Sequence, residues 1–414
     1  MVSTVVIGGG AAGIAAARTL WDAGEDVLLV EASDRLGGRT RSVSIPLDNV
    51  VGAASHAVVD EGCGWLHSAK RNPWTAIAEA SGFTIDQSSA NWRTQWRDLG
   101  FPPKDQEASH AAFAEWSKRA HAALGGPDRP LSDFVTPSDR WRPMIDAISG
   151  YANGANLSQV SLQDWAAYED AATDDNWAIV EGYGTLVASH AGEVPIRLST
   201  PVTRIDHRGR RLKLATPAGT IEADRAIVCV PTTVLATGAL TFDPPLPDKQ
   251  AAADALPLGL ADKVFLEVDR PEWPANAHLV GNPYGVCTAS HRLSPFGLPI
   301  IESFFGGDCA ESLEGGDASQ FAIDELVALL GSDWRRRLTP RGATRWRQVP
   351  HIGGSYSHAR VGQAGQRAVL AAAIDDRLFF AGEACHAHDF STAHGAYETG
   401  VAAARVICQR RAIA

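Results

Sequence analysis

The run Gly8-Gly9-Gly10-Ala11-Ala12-Gly13, with Glu31 downstream, has the residue types of a nucleotide site. In a G-x-G-x-x-G turn each glycine has a separate task. Gly8 permits the tight turn, Gly10 lets the backbone approach a pyrophosphate, and Gly13 allows a helix to pack closely on a strand. A carboxylate at Glu31 can accept both ribose hydroxyls and would repel a 2′-phosphate, which sets NADP aside. These residues alone leave FAD and NAD both open. Cys385, His386, His388, Asp389 and His394 form a second chemical cluster. Their spacing fits no ligand pattern, so no metal is expected, and His386 or His388 is read as pocket polarity. No carboxylate dyad or Ser/His/Asp set stands out.

The turn needs elements to hold it, and the sequence supplies them. Residues 2–7, VSTVVI, read as a strand, IAAARTLWDAG as a helix ending at Gly24, and Asp26–Val30 as a buried strand. Strand, turn, helix and strand in that order are what turn a weak glycine motif into a strong one. Further on, residues 73–180 read as helix-rich: Trp92 and Trp96 lie four apart, and His110–Leu124 and Ser138–Ser149 are rich in helix formers. Pro102-Pro103, Gly125-Gly126-Pro127 and Pro137 punctuate them. Strands are expected at 196–198, 202–205, 211–215, 226–230, 263–268 and 298–305, and a helix at Ala318–Leu330. Leu378–Ala381 reads as a late buried strand, followed by a small-residue helix at Ala393–Arg411.

Composition bounds the function. With 414 residues, 45% hydrophobic and 21% charged, the chain is globular and long enough for two or three domains. The formal charge of −11 disfavours a nucleic-acid surface and is compatible with, but not evidence for, cationic small molecules. Six cysteines without close pairing read as reduced thiols of a cytosolic protein. No signal peptide is visible, and no stretch approaches the ~20 apolar residues of a spanning helix, so a cytoplasmic protein with no membrane partner is expected. Oligomeric state is not legible.

Glu31, Asp34-Arg35-Leu36-Gly37-Gly38-Arg39 and a series of later segments resemble the FAD-dependent (flavin) amine oxidase family, of monoamine or polyamine oxidase type and soluble bacterial style. Asp60-Glu61-Gly62-Cys63-Gly64-Trp65-Leu66-His67 is similar to its D-x-G-x-x-W-[IL]-H segment, and Asn72-Pro73 follows. Val180–Gly184 resembles a V-x-G-G element, with Tyr183 in place of the second glycine. Pro201–Ile205 resembles the segment that meets the adenine through Val202. Leu258–Lys263 resembles the strand that carries a flavin-facing lysine. Trp346 with Gly354-Ser355-Tyr356, then Phe380-Ala381-Gly382-Glu383 and Thr392–Gly400, is similar to the family's closing elements.

The resemblance implies an α/β fold: a Rossmann-type (GR2-like) FAD-binding domain interleaved with an α+β substrate-binding domain that contains a helical insertion. The first would take residues 1–72, 181–250 and 340–414, and the second 73–180 and 251–339. It implies FAD contacts at Gly8, Gly10, Ala12, Gly13, Glu31, Gly38, Arg39, Gly64, Trp65, Val202, Trp346, Gly382, Glu383 and Ala393. Ser355 stands where covalent members have cysteine, so non-covalent FAD is expected. Lys263 would be the catalytic residue, holding a water near flavin N5 and assisting reoxidation by O2. His67, Tyr356, Thr392 and Trp346 would line the substrate pocket, with Thr392 replacing half of an aromatic pair. Thr392 could equally cap the last helix, and His67 could be a hydrogen-bonded core residue. The activity implied is oxidation of a primary or secondary amine to an imine, with H2O2 and a carbonyl as later products. Alternatives within the fold are oxidation of an amino acid, C–C desaturation, or an amine dehydrogenase with another acceptor.

Overall fold

The computed structural model describes residues 2–48, 55–88 and 90–411. It is a mixed α/β structure organised by two sheets. The larger sheet has eight strands. Its centre is parallel: β1 (Val2–Ile7) lies between β2 (Val27–Val30) and the strand Gly219–Val228, which also pairs with Leu378–Phe380. β1 and β2 are nearly continuous apolar runs because both faces are covered, and Gly219–Val228 becomes one only over Ala226–Val228, where it lies between β1 and Leu378–Phe380. Val6, Leu29, Ile227 and Phe379 pack against α1 (Ala11–Asp22) and the last helix, Ala393–Arg411. Val5, Leu28, Val228 and Phe380 pack on the opposite side with Ala252, Leu256 and Leu370.

The register fixes where a ligand can sit. Ile7 is level with Val30 and with Val228, and Val228 is level with Phe380. Gly8, Glu31, Cys229 and Gly382 therefore emerge near one edge, outside the carboxyl ends of the parallel strands. That crevice is where doubly wound sheets bind nucleotides.

The smaller sheet is antiparallel, in the order Ala277–Val280, Ser290–Leu293, Ile300–Gly306, Ala261–Val268, Leu338–Ala343. One face builds a core with the helix Ala318–Leu330, Trp273 and Trp334. The helices Pro103–Ala122, Arg142–Asn153 and Leu162–Ala171 gather around a further core at Trp116, Ile145 and Trp165.

Some expectations are corrected. Pro103 does not merely punctuate: it opens the helix Pro103–Ala122, at the first turn, where a missing N–H costs nothing. The Trp92/Trp96 spacing is not helical. Residues 90–100 are turns, and the two rings point into different neighbourhoods, Trp92 against Trp65 and Trp96 against Trp273. Not all cysteines are thiols either. Cys287 and Cys309 are disulfide-bonded, while Cys63, Cys229, Cys385 and Cys408 remain thiols. The antiparallel strands between them fold the chain back on itself, a proximity that a separation of 22 residues does not reveal.

Candidate active site

A cavity of about 1390 Å³ runs from the strand-end crevice to the exposed-side face of the smaller sheet. It exceeds the roughly 300–1,000 Å³ of common ligand pockets, leaving room for a large cofactor and a second molecule. Every residue expected to contact FAD or substrate lines it except Gly13, whereas His386 and His388, read as pocket polarity, do not line it. Gly13 lies behind: a Cβ there would fall 1.8 Å from the Gly8 carbonyl oxygen, so its absence lets α1 sit on the turn. Gly8 has φ +105° and a Cβ on it would meet the Cys229 carbonyl oxygen at 2.5 Å. By contrast, nothing lies closer than 4.0 Å to a Cβ built on Gly10 and nothing within 4 Å of one on Gly382, so both look into open space.

Glu31 is held by the turn that it serves, accepting from the N–H groups of Gly9 at 2.5 Å and Ser33 at 2.7 Å. Arg39 spans the crevice, donating to the Ser355 carbonyl at 2.6 Å and to Glu383 Oε1 at 2.9 Å. Burial pushes the Glu383 carboxyl up, but the Arg39 and Arg367 cations and bonds from Ser357 and Ser391 bring it below its usual value. Trp346 Nε1 donates to the Glu61 carbonyl at 3.1 Å. Ser355 Oγ both donates to and accepts from the Ala261 backbone at 2.8 Å. It thus pins the start of the strand that carries Lys263.

Lys263 is buried, with its ammonium donating to the Asp60 carbonyl at 2.8 Å and paired with Glu302 Oε1 at 2.7 Å. An ammonium has three N–H donors, so one remains for the cavity. Asp60 is itself fixed, its carboxylate accepting from Ser42 Oγ and from the N–H groups of Tyr183 and Gly184. The Tyr183 departure leaves that N-terminal anchoring intact.

His67 Nδ1 lies 2.7 Å from Asn176 Oδ1, and Asn176 Nδ2 donates to the Asp174 carbonyl at 3.1 Å. An amide oxygen only accepts, so Nδ1 carries the proton and Nε2 keeps a lone pair. Burial pushes His67 down to about 4, so the ring is neutral at pH 7. Tyr356 lines the cavity with its hydroxyl donating to the Tyr151 carbonyl. Thr392 does two things: it lines the cavity, and its Oγ1 accepts from Gly395 N at 3.0 Å, capping the last helix.

The histidine cluster is largely consumed by its own hydrogen bonds. Donor atoms of His386, His388 and Asp389 lie within 4.8 Å of one another. However, His386 Nε2 faces Glu398 at 3.0 Å, its Nδ1 accepts from Asp389 N at 2.8 Å, and both Asp389 oxygens accept from Arg71 at 2.7 and 2.5 Å.

The sequence reading missed Glu302, Phe304, Ser290 and Arg292, which all line the cavity from the smaller sheet. The signal was the alternation of the short strands: Ser290 and Arg292 share a face, as do Glu302 and Phe304. Nothing in the residues alone says which face meets a cavity.

A family model described as flavin containing amine oxidoreductase matches residues 11–165 and 128–408. The chain is 27% identical over 454 residues to polyamine oxidase 4 of Oryza sativa subsp. japonica, covering 99% of this chain and 89% of that protein. It is 27% identical over 451 residues to polyamine oxidase 2 of Arabidopsis thaliana, covering 97% and 87%. It is also 28% identical over 453 residues to lysine-specific histone demethylase 2 of Homo sapiens, covering 96% of this chain and 52% of that one.

Proposed function

Since the chain belongs to the flavin-containing amine oxidoreductases and is an FAD-dependent enzyme, we propose that it oxidises a primary or secondary amine to an imine, with O2 as the final acceptor. The FAD is held without a covalent bond. Supporting this are an open backbone at Gly10 and Gly382 where a dinucleotide would lie, a carboxylate at Glu31 at the end of β2, and a serine at 355. Residues 1–72, 181–250 and 340–414 form the cofactor-binding part, and 73–180 and 251–339 the substrate-binding part.

The observation that carries the reading is Lys263, a buried ammonium with two of its donors engaged and one turned to the cavity. Bound FAD supplies the electron acceptor at N5, which is chemistry no side chain can perform. The protein's work is positioning. Lys263 would hold a water by its third N–H. His67, neutral and with its Nε2 lone pair free, accepts an N–H of the amine and orients it without adding a second positive charge beside it. Tyr356, Trp346 and the Trp65–Trp92 pair supply aromatic walls that exclude water and attract the developing positive charge.

Anaerobic mixing of the purified yellow protein with a panel of amines tests this. Bleaching of the flavin band, followed by peroxide on readmission of air, is the expected result. No bleaching by any amine refutes amine oxidation; bleaching without peroxide makes the enzyme a dehydrogenase.

A further inference from the structure

Glu302 and Arg292 face one another across neighbouring strands of the smaller sheet, and both look into the cavity. Their situations differ. Glu302 is paired with Lys263 at 2.7 Å. Arg292 has no carboxylate within 4.0 Å among the described residues. Its guanidinium carbon lies over the rings of Trp65, at 4.5 Å, and Phe296, at 4.7 Å. Ring contact engages the planar face and leaves the in-plane N–H donors to make directional bonds. A guanidinium has five of these. Nη2 gives one to Asn276 Oδ1 at 2.9 Å, and Nε is buried with no hydrogen-bond partner. Asn276 is anchored in turn, donating to Asp86 Oδ2 at 2.8 Å and Ser88 Oγ at 3.0 Å. The guanidinium is thus held in place, half-buried and with Nε unpartnered, a state that an anion in the cavity would relieve at its remaining donors.

We propose that Arg292 is the anchor for a carboxylate on the substrate, so that the amine oxidised here is an amino carboxylate. The inference rests on the amine-oxidising reading above. A planar, forked donor set matches a carboxylate bidentately. Glu302, Asp86 and Asp60 act on Arg292 only at longer range and none forms an ion pair with it, so its remaining in-plane donors stay open to a carboxylate. Strand geometry gives the scale. Lys263 and Arg292 are two strands and two residues apart, roughly 12 Å between Cα atoms, and both long side chains reach inward. The amine at the Lys263 end and the carboxylate at the Arg292 end are then separated by a short chain. A polyamine in the same pose would set its second ammonium against Arg292, and like charges at an unpaired guanidinium reject it.

Binding and turnover are measured separately, so that this inference and the amine-oxidising reading can fail independently. First, hexanoate and hexylamine are titrated calorimetrically into the flavin-loaded wild type, Arg292→Lys and Arg292→Met; retained flavin absorbance reports an intact fold. Hexanoate affinity should fall about 10- to 100-fold in Arg292→Met and by less in Arg292→Lys, while hexylamine binds no more weakly. Equal hexanoate affinity in wild type and Arg292→Met overturns the anchor. Second, 6-aminohexanoate, shorter homologues, α-amino acids, hexylamine and spermidine are tried as anaerobic reductants of the flavin. Amino carboxylates should reduce wild type at the lowest concentrations and lose that advantage in Arg292→Met. If only amines without a carboxylate reduce the flavin, the substrate class is wrong and amine oxidation stands. If no amine of either kind does, amine oxidation itself falls, and hexanoate still decides the anchor.

Discussion

Lys263 is fixed from two sides, by the Asp60 carbonyl and by Glu302, and both partners come from strands far away in sequence. Removing the ammonium while keeping the stem, as in Lys263→Met, should slow reoxidation of reduced flavin by oxygen by ~10-fold or more, with a much smaller effect on reduction by amine. Stopped-flow measurement of the two half-reactions separates them, and unchanged oxygen reactivity would contradict the role. Glu302→Gln leaves a buried ammonium without its counter-charge. It should lower unfolding free energy by about 3 kcal/mol in urea titrations. Lys263 was legible from the sequence through its family-like strand. Glu302 was not, because a glutamate in a short strand has no mark that tells a cavity face from a solvent face.

The elements were more legible than the contacts between them. The strand–turn–helix–strand start can be read because each part carries its own local signal: β-branched residues, glycines, a C-terminal Gly24 and a second apolar run. The segment 90–100 defeated periodicity, since of two tryptophans at helical spacing one packs on the smaller sheet's core and the other is exposed at the cavity against Trp65, rather than sharing one helix face. Gly13→Ala should drive α1 off the turn, given a Cβ 1.8 Å from the Gly8 carbonyl. The variant is expected to purify without yellow colour, and normal flavin content would refute that packing role. At the other end of the site, Thr392→Val removes the acceptor for Gly395 N and should cost about 1 kcal/mol, whereas Thr392→Ser should cost far less. Comparing the amine KM of the two variants then shows whether the hydroxyl also touches substrate.

At the scale of the whole molecule, burial sets the response to acid. His67 is pushed down to about 4, His278 to about 3 and His358 to about 4, each chiefly by burial. An unfolded chain protonates these rings below about 6.5, whereas the folded one resists until far lower pH. Their contribution is therefore complete above pH 6.5 and is lost as the pH falls towards 4. His67 alone accounts for up to about 3 kcal/mol of that loss. Urea midpoints at pH 7.5 and 5 should differ accordingly, and His67→Gln should flatten the dependence; an unaltered slope would mean that the ring is not the neutral, desolvated group described. The large sheet adds a consequence for how the chain is made. Its central strand Gly219–Val228 is flanked by β1 from one end of the chain and Leu378–Phe380 from the other, and α1 lies against the last helix. On a ribosome adding ~5–20 residues per second, the glycine turn waits roughly 20–75 s for the segment around Gly382. Until then α1 and β1 expose apolar faces meant for partners not yet synthesised. The crevice beside the glycine turn is completed only once the segment around Gly382 has been made, so capture of a ligand there must follow its synthesis.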